Sequence, residues 1–204
     1  MSRNDTRTCW VLKCDIKKFF ASIDQRILVA VLGERIADPD VLWLLRQVIE
    51  SFSSTDVGKG LPLGNLTSQL FVNIYMDKFD QFMKHALKAR YYIRYADDFV
   101  IFSENRSWLA GLIPAMRRFL REELRLQLHP QKTFLETTAS GVDFLGWVHF
   151  PGHRILRTST KRRMMKRLGG SNSPEALNSY LGLLGHGNAH KIKTKILERY
   201  LLRE

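Results

Sequence analysis

Two adjacent aspartates, Asp97 and Asp98, stand between two short β-type runs, and this placement constrains the chain more than any other feature. The runs cover residues 91–94 and 99–102. A tight turn between paired strands can direct neighbouring carboxylates at one point, whereas a strand sends neighbouring side chains to opposite faces. Aspartate is also a favoured turn residue, so an ordinary solvated turn is the simpler explanation of the pair alone.

A third carboxylate ends a strand near the start of the chain. In residues 9–20, apolar residues alternate with Lys13 and Asp15, which predicts a strand that carries Asp15 on its exposed face. Nucleotidyl transfer needs divalent ions about 3.5–4 Å apart, and carboxylate oxygens suit hard ions such as Mg²⁺. Two β units that end in carboxylates supply the minimum constellation for this chemistry. The sequence therefore predicts a carboxylate site for phosphoryl transfer.

The positive charge of the chain is unevenly distributed. Of the net charge of +12, residues 151–204 carry +9, from 12 Lys and Arg against 3 Asp and Glu. Such a surplus is typical of a surface that follows phosphates, although an architectural or ribosomal-type RNA-binding protein would also have it. The 204 residues, 45% of them hydrophobic, suffice for one sizeable domain and a small appendage.

Cysteine usage and hydropathy indicate the compartment. Cys9 and Cys14 are the only cysteines, and their spacing places them on opposite faces of one strand, without a zinc or disulfide pattern. The sequence contains no apolar run long enough for a membrane span and opens with no signal-peptide pattern. We therefore expect a soluble, cytoplasmic protein that does not associate with membranes.

Capping residues and periodicity predict helices on one face of an antiparallel sheet, with the other face open to substrate. Asp24 and Asp38 are expected to cap two successive helices. The second of these is expected to pack through one apolar stripe, formed by Val41, Leu45, Val48 and Phe52. A longer helix is expected over residues 65–86, and a single hairpin over residues 142–156.

Five ordered motifs of the sequence resemble the palm motifs of reverse transcriptases. They are DIKKFF (residues 15–20), LPLGNLTSQ (61–69), IRYADDF (93–99), HPQKT (129–133) and FLGW (144–147). They are most similar to those of bacterial retroelement enzymes, the broad group that includes group II intron and diversity-generating retroelement polymerases. The run SYLGLLGHGN, residues 179–188, resembles the start of a late thumb segment.

The resemblance implies an α+β fold, a right-hand polymerase palm with an antiparallel sheet backed by helices and a small C-terminal helical thumb. It assigns residues 1–153 to the palm, with the fingers largely absent, and residues 154–204 to the thumb. Family members carry a fingers region before the first catalytic strand. Only about eight residues precede that strand here, so we expect a truncated, split or minimal form.

The implied activity is RNA-directed DNA polymerisation by two-metal-ion catalysis, in which a primer 3′-hydroxyl is extended with dNTPs. The implied cofactor is Mg²⁺, with Mn²⁺ as a substitute. The implied partners are an RNA template, a DNA or RNA primer and dNTP, and an accessory protein of the retroelement is left open as a further partner.

The resemblance also assigns the catalytic roles. Asp15, Asp97 and Asp98 match the catalytic carboxylates and metal ligands of the family, and the backbone carbonyl of Ile16 matches an additional metal ligand. Lys132 matches a catalytic lysine that protonates the leaving pyrophosphate, a task that suits a movable ammonium group.

A second set of residues matches the binding site of the incoming nucleotide. Phe20 matches an aromatic ring beneath the sugar, where it would exclude ribonucleotides by clash, although core packing is its simple alternative. The set is completed by Leu63, Gly64 and Gln69. Many family members have Gln and Pro where this chain has Leu63 and Gln69, and the exchange resembles diversity-generating retroelement enzymes. Loss of the amide predicts less accurate nucleotide selection.

The remaining assignments concern the nucleic acid. Phe144, Leu145 and Gly146 match the turn that grips the primer end. Arg94 and Tyr95 are expected to support the aspartate hairpin and to contact the strand near the primer terminus. Further contacts are assigned to five basic residues, Lys161, Arg162, Arg163, Lys166 and Arg167.

The resemblance therefore implies an enzyme of a diversity-generating or related bacterial retroelement, and alternatives to it remain at this point. A group II intron-type or defence-associated reverse transcriptase would use the same chemistry. An alternative of another class is a catalytically inactive RNA-binding remnant. An RRM-type module has a similar sheet, but it predicts aromatic side chains on the sheet face and leaves the three aspartates unexplained.

Overall fold

The computed structural model describes residues 8–52, 56–170 and 173–201, without the side chains of 170 and 199–201. Its contacts divide the chain into two compact units at Glu136 and Thr137. This division precedes the predicted domain boundary at residue 153, because Trp147 and Leu156 belong to the hydrophobic core of the C-terminal helices. The assignment of the two parts as palm and thumb stays a prediction.

The first unit is built on a four-stranded sheet with the order β2-β3-β1-β4. Its strands are β1 (Trp10–Asp15), β2 (Tyr91–Tyr95), β3 (Asp98–Ser103) and β4 (Phe134–Thr137). Both β1 and β2 pair antiparallel with β3. Leu12 and Cys14 are buried in the core, and Lys13 and Asp15 keep part of their surface exposed, as the predicted alternation requires. Val11, on the same face as Lys13 and Asp15, is only 2% exposed, so the alternation is confirmed only in part.

Helices cover the core-facing side of this sheet. They are α1 (Phe19–Ser22), α2 (Gln25–Gly33), α3 (Pro39–Glu50), α4 (Leu66–Gln81) and α5 (Arg106–Leu124). The predicted caps are confirmed, since Asp24 and Asp38 each accept two backbone hydrogen bonds at the start of their helices. Phe79 of α4 meets Phe99 of β3 edge to face at 5.3 Å between ring centroids, which fixes α4 on the sheet. After Gln81 the α-helix gives way to a π-helical turn, Phe82–Ala86.

The packing face predicted for α3 is wrong in part, since only Leu45 of the predicted stripe packs on the core through this helix. The helix packs on the core through Leu42, Leu45 and Ile49, whereas Val41 and Val48 are 43% and 44% exposed. Apolar residues surround this helix on several sides, so helical periodicity alone allowed more than one face to be chosen.

The second unit combines a small sheet with three helices. Its strands β5 (Val142–Phe144), β6 (Trp147–His149) and β7 (Arg154–Leu156) pair antiparallel in that order, so the single hairpin predicted here is in fact two successive ones. The helices are α6 (Thr158–Gly170), α7 (Pro174–Leu184) and α8 (His190–Leu201). Nowhere in the described part of the chain is a helix both long and apolar enough to cross a membrane.

Candidate active site

Strand pairing brings the three predicted carboxylates to one end of the first sheet. Asp15, the last residue of β1, lies directly opposite Asp98, the first residue of β3. Asp97 lies in the turn between β2 and β3, and its carbonyl accepts a hydrogen bond of 3.1 Å from the backbone N–H of Ile16. The turn is therefore fastened to the end of β1, and the backbone at Ile16 belongs to the same cluster.

The electrostatics of this cluster oppose full ionisation. Burial raises the pKa of the Asp97 and Asp98 carboxyls above the ordinary value, and the negative charge of Asp15 raises both further. Two lysines act in the opposite direction. Lys132 Nζ lies 3.0 Å from Asp15 Oδ2, and Lys13 Nζ lies 3.5 Å from Asp98 Oδ2. The lysines thus offset part of the repulsion among the carboxylates.

The donor chemistry of the cluster fits a divalent ion. Asp98 Oδ1 is buried and has no hydrogen-bond partner within the described ranges, which leaves a carboxylate oxygen available to a hard cation. As they stand, the His, Cys, Asp and Glu side chains described by the structure form no group of three close enough to hold a metal ion.

Replacing Asp97 by Asn is expected to stabilise the metal-free protein at neutral pH. Because the folded state raises the pKa of Asp97, folding is favoured as pH falls through that pKa, and the ionised carboxylate costs stability above it. The melting temperature of Asp97→Asn should exceed that of the wild type at pH 7 in the presence of a chelator. The difference should shrink as the pH is lowered towards the ordinary carboxyl range, because the wild-type carboxyl takes up a proton as the pH falls through its raised pKa. A lower melting temperature of the variant at pH 7 would contradict the electrostatic description.

The loop that carries Lys132 is tied to the strand that carries Asp15. The backbone N–H of His129 donates to the carbonyl of Asp15 at 2.7 Å, and Thr133 Oγ1 donates to the carbonyl of His129 at 3.1 Å. The Lys132 side chain is about half exposed, so its ammonium group contacts Asp15 while it keeps room to move. The structure thus brings the predicted proton donor to the predicted metal ligands.

The predicted nucleotide-binding residues lie in two segments joined by a backbone hydrogen bond. The N–H of Leu61 donates to the carbonyl of Phe20 at 2.9 Å. Phe19 is buried, whereas Phe20 is only half-buried and meets Phe19 edge to face, so Phe19 fills the core. Leu63 is 77% exposed in the turn before α4, and Gly64 adopts a φ of +89° there, a conformation that favours glycine. Gln69 is exposed on the first turn of α4.

Arg94 and Tyr95 are directed to opposite sides of β2. Tyr95 is 62% exposed, which leaves its ring available on the open face. Arg94 is directed to the helix-facing side, where its guanidinium is paired with Asp80 of α4. The geometry therefore corrects the prediction for Arg94: it supports the hairpin and is held away from the face that would contact nucleic acid.

The predicted primer grip forms the turn between β5 and β6 in the second unit. Phe144 is buried at the end of β5, whereas Leu145 is 50% exposed at the turn. Leu145 and Gly146 have φ values of +53° and +82°. Positive φ at both central residues is typical of a type I′ hairpin turn, whose twist matches that of the flanking strands. In the same unit, all five predicted basic residues of α6 are exposed.

Two features of the site were missed from the sequence. Lys13 precedes Asp15 by two residues and therefore shares its face of β1, a spacing that could have identified it as the counter-ion of the cluster. The pairing of Arg94 with Asp80 joins residues 14 positions apart on different elements, and no local pattern predicts it.

Family comparison gives an independent description of the chain. The model of the family described as reverse transcriptase (RNA-dependent DNA polymerase) matches residues 1–149, which contain all of the carboxylate cluster. The match ends at the last residue of β6, in the second unit.

Curated relatives are longer than this chain. Protein YkfC of Escherichia coli is 26% identical and covers 79% of this chain and 51% of its own length. Group II intron-encoded protein LtrA of Lactococcus lactis is 21% identical, and the match covers 77% of this chain and 37% of LtrA. The putative COX1/OXI3 intron 2 protein of Saccharomyces cerevisiae is also 21% identical, with coverages of 68% and 23%. The chain thus spans about half, or less, of the length of these relatives.

Solved structures share the fold at low sequence identity. Telomerase from Candida albicans in complex with a TWJ fragment of telomeric RNA has a TM-score of 0.58 at 12% identity, and the match covers 98% of this chain and 41% of that one. Apo telomerase from Candida tropicalis has a TM-score of 0.55 at 14% identity, with coverages of 72% and 32%. These matches confirm the predicted α+β, polymerase palm-like fold.

Proposed function

Because the chain belongs to the reverse transcriptase family, we propose that it acts as an RNA-directed DNA polymerase. In the proposed reaction a primer 3′-hydroxyl attacks the α-phosphate of a dNTP, the DNA strand is extended and pyrophosphate is released. The observation that carries the proposal is the register pair of Asp15 and Asp98, next to a turn in which the carbonyl of Asp97 is fastened to Ile16. Paired strand ends with three carboxylates are a suitable scaffold for phosphoryl transfer.

The metal ligands in this proposal are Asp15, Asp97, Asp98 and the carbonyl of Ile16. Reverse transcriptases generally use divalent metal ions, and we assign Mg²⁺ to this site, with Mn²⁺ as a substitute. When bound, two such ions would activate the attacking hydroxyl and neutralise charge on the phosphates. Lys132 is the proposed general acid, since its ammonium group already contacts Asp15 and can donate a proton to pyrophosphate as it leaves.

The nucleotide pocket in this proposal combines Phe20 with the turn before α4. The half-buried ring of Phe20 excludes a 2′-hydroxyl by clash, and Leu63, Gly64 and Gln69 face the incoming nucleotide. The backbone bond between Leu61 and Phe20 supports this grouping, because it holds the two segments side by side.

The template and primer are the proposed nucleic-acid partners, and we propose residues 1–153 as palm and 154–204 as thumb. Tyr95 offers an exposed ring on the open sheet face, and the Phe144–Gly146 turn is the proposed primer grip. Helix α6 presents exposed positive charge without an acidic residue in its sequence, which is the composition of a phosphate-binding helix.

Two lineages are compatible with this chemistry. Leu63 and Gln69 favour a diversity-generating or related bacterial retroelement, because they replace the Gln and Pro of other family members. The similarity to a group II intron-encoded protein favours an intron-type enzyme as the second candidate. The two differ in the accuracy expected of the nucleotide pocket.

We expect Leu63→Gln to lower the error frequency of synthesis. An apolar side chain cannot form a hydrogen bond to a correctly placed nucleotide, whereas a Gln amide can. A neutral hydrogen bond of this kind contributes about 0.5–1.5 kcal/mol. The misincorporation frequency should therefore fall by a factor of a few, and by at most about tenfold, in a single-nucleotide misincorporation assay on an RNA template. Leu63→Met is the matched apolar control. An unchanged error spectrum in Leu63→Gln would mean that this side chain has no part in selection.

The experiment that tests the proposed function is extension of a DNA primer on an RNA template with dNTPs and Mg²⁺. A catalytically inactive RNA-binding remnant would bind the template–primer without extending it. Extension that depends on template, dNTP and divalent ion supports the polymerase. Binding without extension supports the remnant.

A further inference from the structure

Arg94 is a buried cation behind the aspartate turn. Along β2 the exposed side chains are Tyr91, Ile93 and Tyr95, whereas Tyr92 and Arg94 are directed towards the helices. The Arg94 side chain is only 8% exposed. Burial of a guanidinium is unfavourable unless its N–H donors are satisfied. The hydrogen-bond partners of Arg94 therefore show which parts of the structure it joins.

The guanidinium is anchored on α4 through Asp80. Arg94 Nε and Nη2 donate to the two carboxylate oxygens of Asp80 at 2.8 and 2.6 Å, which is a bidentate pair. The hydroxyl of Tyr92 donates to the same carboxylate at 2.7 Å. The planar guanidinium is therefore fixed in position and orientation relative to α4.

The remaining nitrogen of this group reaches the aspartate turn. Arg94 Nη1 donates to the carbonyl of Ala96 at 3.1 Å and to Asn73 Oδ1 at 3.3 Å. Ala96 has a φ of +53°, a left-handed conformation that residues with a Cβ adopt rarely and only where their surroundings impose it. Ala96 immediately precedes Asp97, so its peptide sets the direction in which the Asp97 and Asp98 carboxylates leave the turn.

We propose that Asp80 and Arg94 form a clamp that holds Ala96 in its left-handed conformation and so positions Asp97 and Asp98 for metal binding. This inference rests on the proposed function. It makes Arg94 and Asp80 positioning residues, since neither touches the substrate or the reacting groups. The alternative is that the pair only stabilises the packing of β2 on α4.

The clamp and the packing alternative differ in what Arg94→Lys changes. A lysine keeps the positive charge but offers a point charge where the guanidinium offers a planar fork, so it cannot bind Asp80 and Ala96 together. We expect Arg94→Lys to remain folded and to bind Mn²⁺ about 10- to 100-fold more weakly, as is usual when an outer partner of a metal ligand is lost. Asp80→Asn should have the same effect, because it removes the charged anchor.

A readout without metal separates turn geometry from general stability. In metal-free protein, hydrogen exchange of the backbone amides of residues 97 and 98 should accelerate in Arg94→Lys more than exchange in the middle of β1. Arg90→Lys is the matched control, since Arg90 is an exposed arginine beside the same strand, stacked over the ring of Tyr91. It should alter neither exchange at the turn nor Mn²⁺ affinity.

A second substitution tests the mechanism directly. Glycine adopts positive φ without outside support, so Ala96→Gly in the Arg94→Lys background should recover most of the lost Mn²⁺ affinity. Recovery supports the clamp. Mn²⁺ affinity and turn exchange equal to wild type in Arg94→Lys, or no recovery with Ala96→Gly, would overturn it in favour of simple packing. Failure of the wild-type protein to extend a primer would instead reject the proposed function. The clamp is tested by hydrogen exchange and Mn²⁺ affinity, which do not depend on primer extension.

Discussion

Asp97→Asn is expected to abolish primer extension on an RNA template while the protein remains folded. The substitution removes one negative charge and one proposed metal ligand from a cluster whose other members are Asp15 and Asp98. Loss of an outer-shell partner of a metal site costs about 10–100-fold, so loss of a ligand itself should lower the extension rate by at least about 100-fold. The rate is measured with saturating template–primer and dNTP at several Mg²⁺ concentrations.

The control for this variant is Asp77→Asn. Asp77 of α4 forms an exposed ion pair of 2.7 Å with Arg35 and accepts a hydrogen bond from Gln81, both outside the carboxylate cluster. Its replacement should leave extension within about twofold of wild type, because exposed ion pairs contribute little. Template–primer affinity of Asp97→Asn should match wild type, which shows that binding and chemistry are separable. Extension by Asp97→Asn at the wild-type rate would refute the assignment of the cluster.

Neutralising the basic surface of α6 is expected to have the largest effect on nucleic-acid affinity. The surface consists of five exposed residues, Lys161, Arg162, Arg163, Lys166 and Arg167. Each phosphate contact contributes about 0.9 to the slope of log affinity against log salt concentration for duplex nucleic acid. Replacement of all five by Gln should therefore reduce this slope by about four to five if each contacts a phosphate.

A smaller pair of variants gives a matched comparison of position. Arg162→Gln with Lys166→Gln removes two charges four residues apart on α6, and the slope should fall by about two. Lys84→Gln with Lys88→Gln removes two exposed charges at the same spacing in the first unit, and the slope should not change. Titration of fluorescent template–primer at four salt concentrations measures both. Equal slopes for the two double variants would show that α6 contributes only general positive charge.

Local patterns predicted the elements that carry the carboxylates. Alternation along β1 predicted the burial of Leu12 and Cys14, because one face of this strand packs on the core and the period of a strand is two. It did not predict that Val11, on the other face, is buried as well. The caps at Asp24 and Asp38 were predictable because they satisfy backbone donors within three residues. The cluster itself followed from two strand ends and the family motifs.

The features that were missed depend on contacts between distant segments. Strand β4 was not predicted, since four residues without an obvious pattern become a strand only by pairing beside β1. The face of α3 was wrong in part because apolar side chains occur around the whole helix, and some of them, such as Trp43 and Leu44, are exposed. Arg94 was assigned to nucleic acid from its place in the motif, yet its position two residues after Tyr92 already put it on the helix-facing side of β2.

The central claim is that Asp15, Asp97 and Asp98 hold two divalent ions for nucleotidyl transfer. The most direct measurement is the number of Mn²⁺ ions bound, by electron paramagnetic resonance, in the complex with an RNA template, a dideoxy-terminated primer and the matching dNTP. We predict two site-bound Mn²⁺ per wild-type chain, and at most one in Asp97→Asn under the same conditions. Two bound ions in both proteins, or none above the nucleotide-only background in the wild type, would contradict the claim.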